Sequence, residues 1–235
     1  MCIRLDKYVA FGMQKRKETF AQTMPSLSVA EGQISAVPHN EEFTYLGRRY
    51  SFEMKNESAK AALEHKLLNL LKITNNLKIR TQTKLKILSQ YIHSQMIYEI
   101  KLYEFPLTWV EQTLDALCLR YMRDWLAMPI SACVNEISSL PRKLTGLGIA
   151  SFKQLAQKMS LSKRHALRSS KNNDVRELWA LSSGQHVIVD ELLVTHDSIA
   201  KATKALLLNE QQSRADRLFG LQLQGIIHQN RVRNN

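Results

Sequence analysis

Arg142, Lys143, Lys163, Arg164 and Arg168 are the residues whose type and spacing most plainly suggest chemistry. Residues 131–180, which hold them, carry nine Lys or Arg against three Asp or Glu. Cations gathered this way suit a polyanionic partner. On a helical face they can follow a phosphate backbone, and the counterions they release make such binding salt-sensitive. Phosphate contacts position a strand or duplex without reading its sequence. Lys84 and Lys86 form a second, smaller group of the same kind. The whole chain has 33 basic and 21 acidic residues among 235, a net charge of +12. The excess is local: residues 1–54 and 181–235 each contribute only +1, and residues 55–130 contribute +4.

The residues of most catalytic classes are missing as patterns. There is no G-x-x-x-x-G-K phosphate loop, no G-x-G-x-x-G, no G-x-S-x-G elbow and no H-E-x-x-H. Two-metal polymerases need carboxylates that hold ions about 3.5–4 Å apart, and no Asp-Asp pair occurs. Asp190-Glu191 and Glu41-Glu42 read as caps or turn residues. Glu99 and Glu104 lie near His93 in sequence, but nothing places them in a pocket. Cys2, Cys118 and Cys133 form no C-x-x-C and have no histidine at metal-ligand spacing, so they read as reduced, structural thiols. The expectation is a chain with no enzyme activity as it stands, no metal and no cofactor of its own. No apolar run reaches the length of a membrane span, and the start lacks a secretory apolar region. The expected location is intracellular, in cytoplasm or nucleus, and not secreted.

The elements that must position the basic residues follow from periodicity. Residues 1–13 read as a strand, 14–24 as a polar loop, and the apolar runs around Gly32 as a hairpin. Residues 43–52 read as a further strand with Gly47 at a bulge or a close backbone approach. From about residue 56 the period becomes helical. A first helix carries Leu63, Leu67, Leu70 and Leu71. A second turns Leu85, Leu88, Ile92, Met96 and Tyr103 inward, with Lys84, Lys86, Gln90 and His93 on its other face. Pro106 ends it. Thr108 caps a third helix with Val110, Leu114, Leu117, Tyr121 and Trp125 inward, so Trp109, Tyr121 and Trp125 read as core rather than as stacking platforms for bases. Residues 130–150 read as irregular. Ser151-x-x-Gln154 is a capping box that opens a fourth helix to about residue 169, with Lys153, Lys163, Arg164 and Arg168 outward. A short helix runs through Trp179. Val187–Val194 is ambiguous between strand and helix, and Asp197 caps a last helix to about Phe219. The expected fold is α+β and mostly α: a small β unit over 1–54, a helical bundle over 55–180 and a helical tail over 181–235.

Four pieces, in order, carry a resemblance. Leu5-Asp6-Lys7-Tyr8-Val9-Ala10-Phe11-Gly12 is similar to the L-x-x-x-K-C-x-x-F-G stretch of non-LTR retrotransposon reverse transcriptases, with Tyr8 in place of the cysteine. Phe43-Thr44-Tyr45-Leu46-Gly47 resembles the F-x-Y-L-G segment that closes their palm. Arg123-Asp124-Trp125-Leu126 with Met128-Pro129 resembles R-x-W-L-x-x-P, and Gly146-Leu147-Gly148-Ile149 the G-L-G-I that follows. The resemblance covers about residues 3–152.

It implies a palm end followed by a thumb that grips a template–primer duplex. Tyr45, Leu46 and Gly47 would belong to the primer grip, with Arg48 and Arg49 in reach of phosphate, and Lys7 would keep only a structural or phosphate role. The family's metal-binding aspartates, which hold Mg²⁺ in the intact RNA-directed DNA polymerase, would lie before Met1. The expectation is therefore a reverse-transcriptase fragment without catalytic aspartates. It would bind RNA, DNA or an RNA–DNA hybrid without sequence preference. The alternatives are a helical protein-interaction module, self-associating through unpaired N-terminal strands, or a non-functional remnant.

Overall fold

Short strands form at the front of the chain, and the computed structural model arranges them as one three-stranded sheet and two hairpins. It describes residues 8–17, 19–29, 32–39, 41–45, 47–52, 55–129, 132–144, 146–182, 187–196 and 198–220. The chain divides into two units, 1–61 and 62–235. In the first, β1 (Val9–Ala10) runs parallel to β5 (Gly32–Ala36), which pairs antiparallel with β4 (Leu27–Val29). Strands β2 (Gly12–Arg16) and β3 (Thr19–Thr23) form a hairpin, as do β6 (Phe43–Tyr45) and β7 (Arg48–Tyr50). Phe11 lies 5.7 Å from Phe43 and 6.1 Å from Phe52, and Phe43 stacks on Tyr50, so the small core here is aromatic.

Two sequence expectations change in this unit. Residues 14–24, expected as a loop, are mostly strand. Lys17 adopts a positive φ of 53° at the turn. Both Met13 and Phe20 are exposed, so the pairing buries no apolar face and leaves no clear alternation to read. Residues 43–52, expected as one strand with a bulge, are a hairpin with Gly47 at its turn, where φ is +81°. That backbone conformation accounts for the glycine without any approaching ligand. The expected hairpin around Gly32 is present. Residues 1–7, Lys7 among them, and Leu46 lie outside the described residues.

The helices follow in sequence: α1 (Glu57–Asn76), α2 (Thr81–Lys86), α3 (His93–Leu102), α4 (Leu107–Trp109), α5 (Ala116–Trp125), α6 (Val134–Ser139), α7 (Phe152–Arg168), α8 (Asn173–Ser182), α9 (Val187–Thr195) and α10 (Ile199–Phe219). Two π-helical stretches, Ile87–Ile92 and Val110–Asp115, join α2 to α3 and α4 to α5 without a break. A π turn widens the helical repeat, and the buried line on the second rod is Val110, Leu114, Cys118, Met122 and Trp125. Leu117 and Tyr121, expected inward from an unbroken 3.6 period, are only partly buried. The same two rods carry His93 and Asp115 into the interior, whereas periodicity alone puts His93 outside. Thr108 lies within the first turn of α4, whose N-cap position is Pro106.

Helix α7 is the hub: it packs against α3, the Val110–Asp115 stretch, α8, α9 and α10. Its start is fixed as expected. Ser151 Oγ accepts from the Gln154 backbone N–H, and Gln154 Oε1 accepts from the Ser151 N–H, both at 3.1 Å. Ser151→Ala is expected to lower the unfolding free energy by about 1 kcal/mol, read from the midpoint of a urea melt. An unchanged midpoint would mean that other contacts hold this end alone.

The segment 187–194 is helical, and Leu193 packs with Leu161 and Ala202. Ser198 caps α10, accepting from the Lys201 N–H at 3.4 Å; Asp197, the expected cap, lies outside the described residues. Residues 132–144, expected as irregular, contain α6 and a 3-10 turn, Arg142–Leu144. No helix of the described residues is long and apolar enough to cross a membrane.

Candidate functional site

The basic residues expected on one outer face of α7 separate into different environments. Arg164 is the main correction. Its side chain is buried, with only 4% of its surface exposed, and forms a two-pronged pair with Asp190 of α9: Nε to Oδ1 at 2.9 Å and Nη2 to Oδ2 at 2.7 Å. Its guanidinium also lies 5.9 Å from the centre of the Trp179 ring. A buried, doubly bonded guanidinium cannot reach a phosphate. Arg168 is exposed, yet its Nη1 donates to the Leu193 carbonyl and its guanidinium lies 5.7 Å from Trp179. Lys163 pairs with Glu104 and Lys153 with Glu111, the latter at 2.7 Å. Arg142 and Lys143 stand exposed on the 3-10 turn.

The α1–α2 corner is a stronger concentration of charge. Between Glu64 and Glu99 the chain has Lys66, Lys72, Lys78, Arg80, Lys84 and Lys86 and no acidic residue at all. Lys66 is neutralised by Glu99 at 2.8 Å. The other five have no carboxylate partner among the described residues, and Lys72, Lys78, Arg80 and Lys86 are exposed. The corner is also held in place. Trp125 Nε1 donates to Asn75 Oδ1 at 2.9 Å, Thr81 Oγ1 donates to the Trp125 carbonyl at 2.9 Å, and Lys84 Nζ donates to the Asn75 carbonyl at 2.8 Å. Trp125 is thus a buried anchor rather than a stacking platform. Charge totals over long segments hide this corner, because Glu57, Glu64 and the acids after residue 98 dilute it; an acid-free window marks it.

In the first unit, Tyr45 is exposed and Arg49 stands opposite Thr44 in the β6–β7 hairpin. Arg48 lies over the Tyr50 ring at 5.1 Å. Leu46 lies outside the described residues.

The buried polar groups form a separate cluster. Asp115 accepts from the backbone N–H groups of Phe152, at 2.6 Å, and Lys153, at 3.1 Å, and so holds the start of α7. Burial pushes its carboxyl up to about 6, against the lowering effect of those two amides. Burial pushes His93 down to about 4, and its ring meets Phe152 edge-on at 4.9 Å. Cys118 is pushed upward by burial and by the nearby Asp115 charge. His93, Asp115 and Cys118 border a cavity of about 20 Å³, room for about one water. Glu99 and Glu104 are paired elsewhere, with Lys66 and Lys163, so they do not join His93 in a site. No group of three His, Cys, Asp or Glu suited to a metal occurs among the described residues. No protein family matches the chain, and no curated protein matches it.

Proposed function

We propose that this protein holds a nucleic-acid backbone without reading its sequence, as the thumb-like part of a reverse-transcriptase fragment that performs no synthesis itself. The observation that carries the reading is the α1–α2 corner: five cations, no carboxylate and a strapped backbone. Lys84 and Lys86 belong to it, and Lys72, Lys78 and Arg80 join them. A preorganised row of cations gains more from releasing counterions than one that must first be ordered. Arg142 and Lys143 are further exposed cations on their 3-10 turn, and the buried Arg164 leaves the set.

The test is binding of the full chain to a labelled RNA–DNA hybrid across a salt series. Log affinity is expected to fall linearly with log salt. The double reversal Lys78→Glu/Arg80→Glu is expected to flatten the slope by about one for each phosphate that is no longer neutralised. Absence of binding at low salt would overturn the reading. A concentration-dependent increase in sedimentation would then favour the protein-interaction alternative, for which exposed Met13 and Phe20 beside the edges of a two-stranded sheet supply a surface.

A further inference from the structure

The rod formed by α2, the Ile87–Ile92 stretch and α3 has one buried side and one open side. Leu88, Ile92, His93, Met96 and Ile100 make the buried side. Between positions 86 and 101 the exposed residues are Lys86 and Lys101 at the two ends, Tyr91 and Tyr98 between them, and Gln90, Ser94 and Gln95. None of these is acidic. Glu99, the one carboxylate of the stretch, is partly buried and bonded to Lys66 at 2.8 Å. Tyr91 and Tyr98 are each 56% exposed. Seven residues make about two helical turns, so both tyrosines stand on one side of the rod, about 10 Å apart along its axis. Ser94, between them, is small, and its hydroxyl donates to the Gln90 carbonyl of the same rod. The open side therefore carries two separate aromatic rings, uncharged polar side chains and a cation at each end.

We propose that this face binds single-stranded nucleic acid, with unpaired bases stacked on Tyr91 and Tyr98. Contact with phosphates alone needs cations and no exposed aromatic ring, and in a duplex the bases are already stacked on one another. An unpaired strand offers both phosphates and free base faces, and aromatic side chains along a positive track take them without choosing a sequence. Lys86 belongs to the α1–α2 corner and also begins this face. A strand held at the corner by its phosphates thus continues over Tyr91 and Tyr98 to Lys101. The core of a protein–protein interface is depleted in lysine, whereas here the tyrosines lie between two of them. The inference rests on the backbone reading of the corner and names the form of nucleic acid that the protein takes.

The test is fluorescence anisotropy of the full chain with three labelled probes: oligodeoxythymidylate, an abasic deoxyribose-phosphate strand of the same length, and a blunt RNA–DNA hybrid. The thymidylate strand is expected to bind tighter than the abasic strand, which has the same phosphates and no bases. Tyr91→Ala/Tyr98→Ala is expected to weaken the thymidylate strand about thirtyfold, two bases at the lower end of what stacking contributes, and to leave the abasic strand and the blunt hybrid unchanged. Tyr91→Phe/Tyr98→Phe keeps the rings and should keep the affinity. Equal binding of the thymidylate and abasic strands by the wild type would overturn the proposal, and that comparison needs no variant. So would an alanine variant that binds thymidylate as the wild type does, or one that loses the blunt hybrid equally. Self-association that disappears in the alanine variant, with no preference for bases, would assign the face to a second copy of the chain instead. The two readings fail separately. A hybrid bound with the expected salt slope beside no preference for bases leaves the corner standing and removes the stacking face. A preference for bases with no binding of the blunt hybrid does the reverse.

Discussion

Arg164→Met is expected to lower the unfolding free energy by about 3–5 kcal/mol, because it strands the Asp190 carboxylate. That carboxylate is only 13% exposed and accepts two bonds from one guanidinium. The pair ties α7 to α9, and the Trp179 ring of α8 lies within 6 Å of both Arg164 and Arg168. One substitution therefore loosens three helices. The reverse single change, Asp190→Leu, should cost a similar amount, since it leaves the arginine buried and unpaired. The double variant Arg164→Met/Asp190→Leu should recover most of the loss, because an apolar pair of similar volume removes both desolvated charges. Urea melts of the four proteins at neutral pH give the comparison. A loss below about 1 kcal/mol for Arg164→Met, the range of an exposed pair, would show that the bridge is not internal. If the variant stays folded and loses hybrid affinity, Arg164 reaches phosphate after all.

The contrast between Arg164 and its neighbour shows where a single sequence stops being legible. Lys163 and Arg164 are adjacent and both basic, and a local reading puts both outside. A helix turns about 100° per residue, so one of two neighbours can be inside. What decides it here is Asp190, a carboxylate 26 positions away that reads locally as a turn residue. Helix α1, the break at Pro106 and the start of α7 are legible because each has a local cause: an apolar period, a missing N–H, and Ser151 with Gln154 three residues on. The π-helical stretches have no such signature. They move the buried line from Leu117 and Tyr121 to Cys118 and Met122, and they bring His93 and Asp115 inside. The front hairpins are only half legible, since β2 and β3 pair through backbone groups while leaving Met13 and Phe20 in water. Of the expected phosphate-binding residues, Lys84 and Lys86 keep a place on a basic surface. Their companions Lys72, Lys78 and Arg80 become visible only when acidic residues are counted in a short window.

Asp115→Asn is expected to make the protein acid-sensitive, by exposing an opposition between two buried groups. His93 is held neutral in the fold, at about 4, whereas the unfolded chain takes up its proton near 6.5. Its contribution to stability is therefore present above pH 6.5 and is lost as pH falls towards 4. Asp115 has the opposite sign. Its carboxyl takes up a proton near 6 in the fold and only near 3.8 when unfolded, so the folded state gains stability as pH falls from 6 to 3.8 and loses it as pH rises through about 6. Each difference is worth about 3 kcal/mol at 1.36 kcal/mol per tenfold change in proton affinity. In the wild type the two slopes nearly cancel between pH 6 and 4. The substituted carboxamide cannot titrate, so the histidine slope stands alone. Relative to wild type, the variant should lose about 3 kcal/mol between pH 6.5 and 4, while His93→Gln should gain over the same window. Parallel pH profiles for wild type and Asp115→Asn in urea melts would sink the account. Parallel profiles would also mean that the carboxylate bonded to the Phe152 and Lys153 amides stays ionised, with the start of α7 compensating its burial in full.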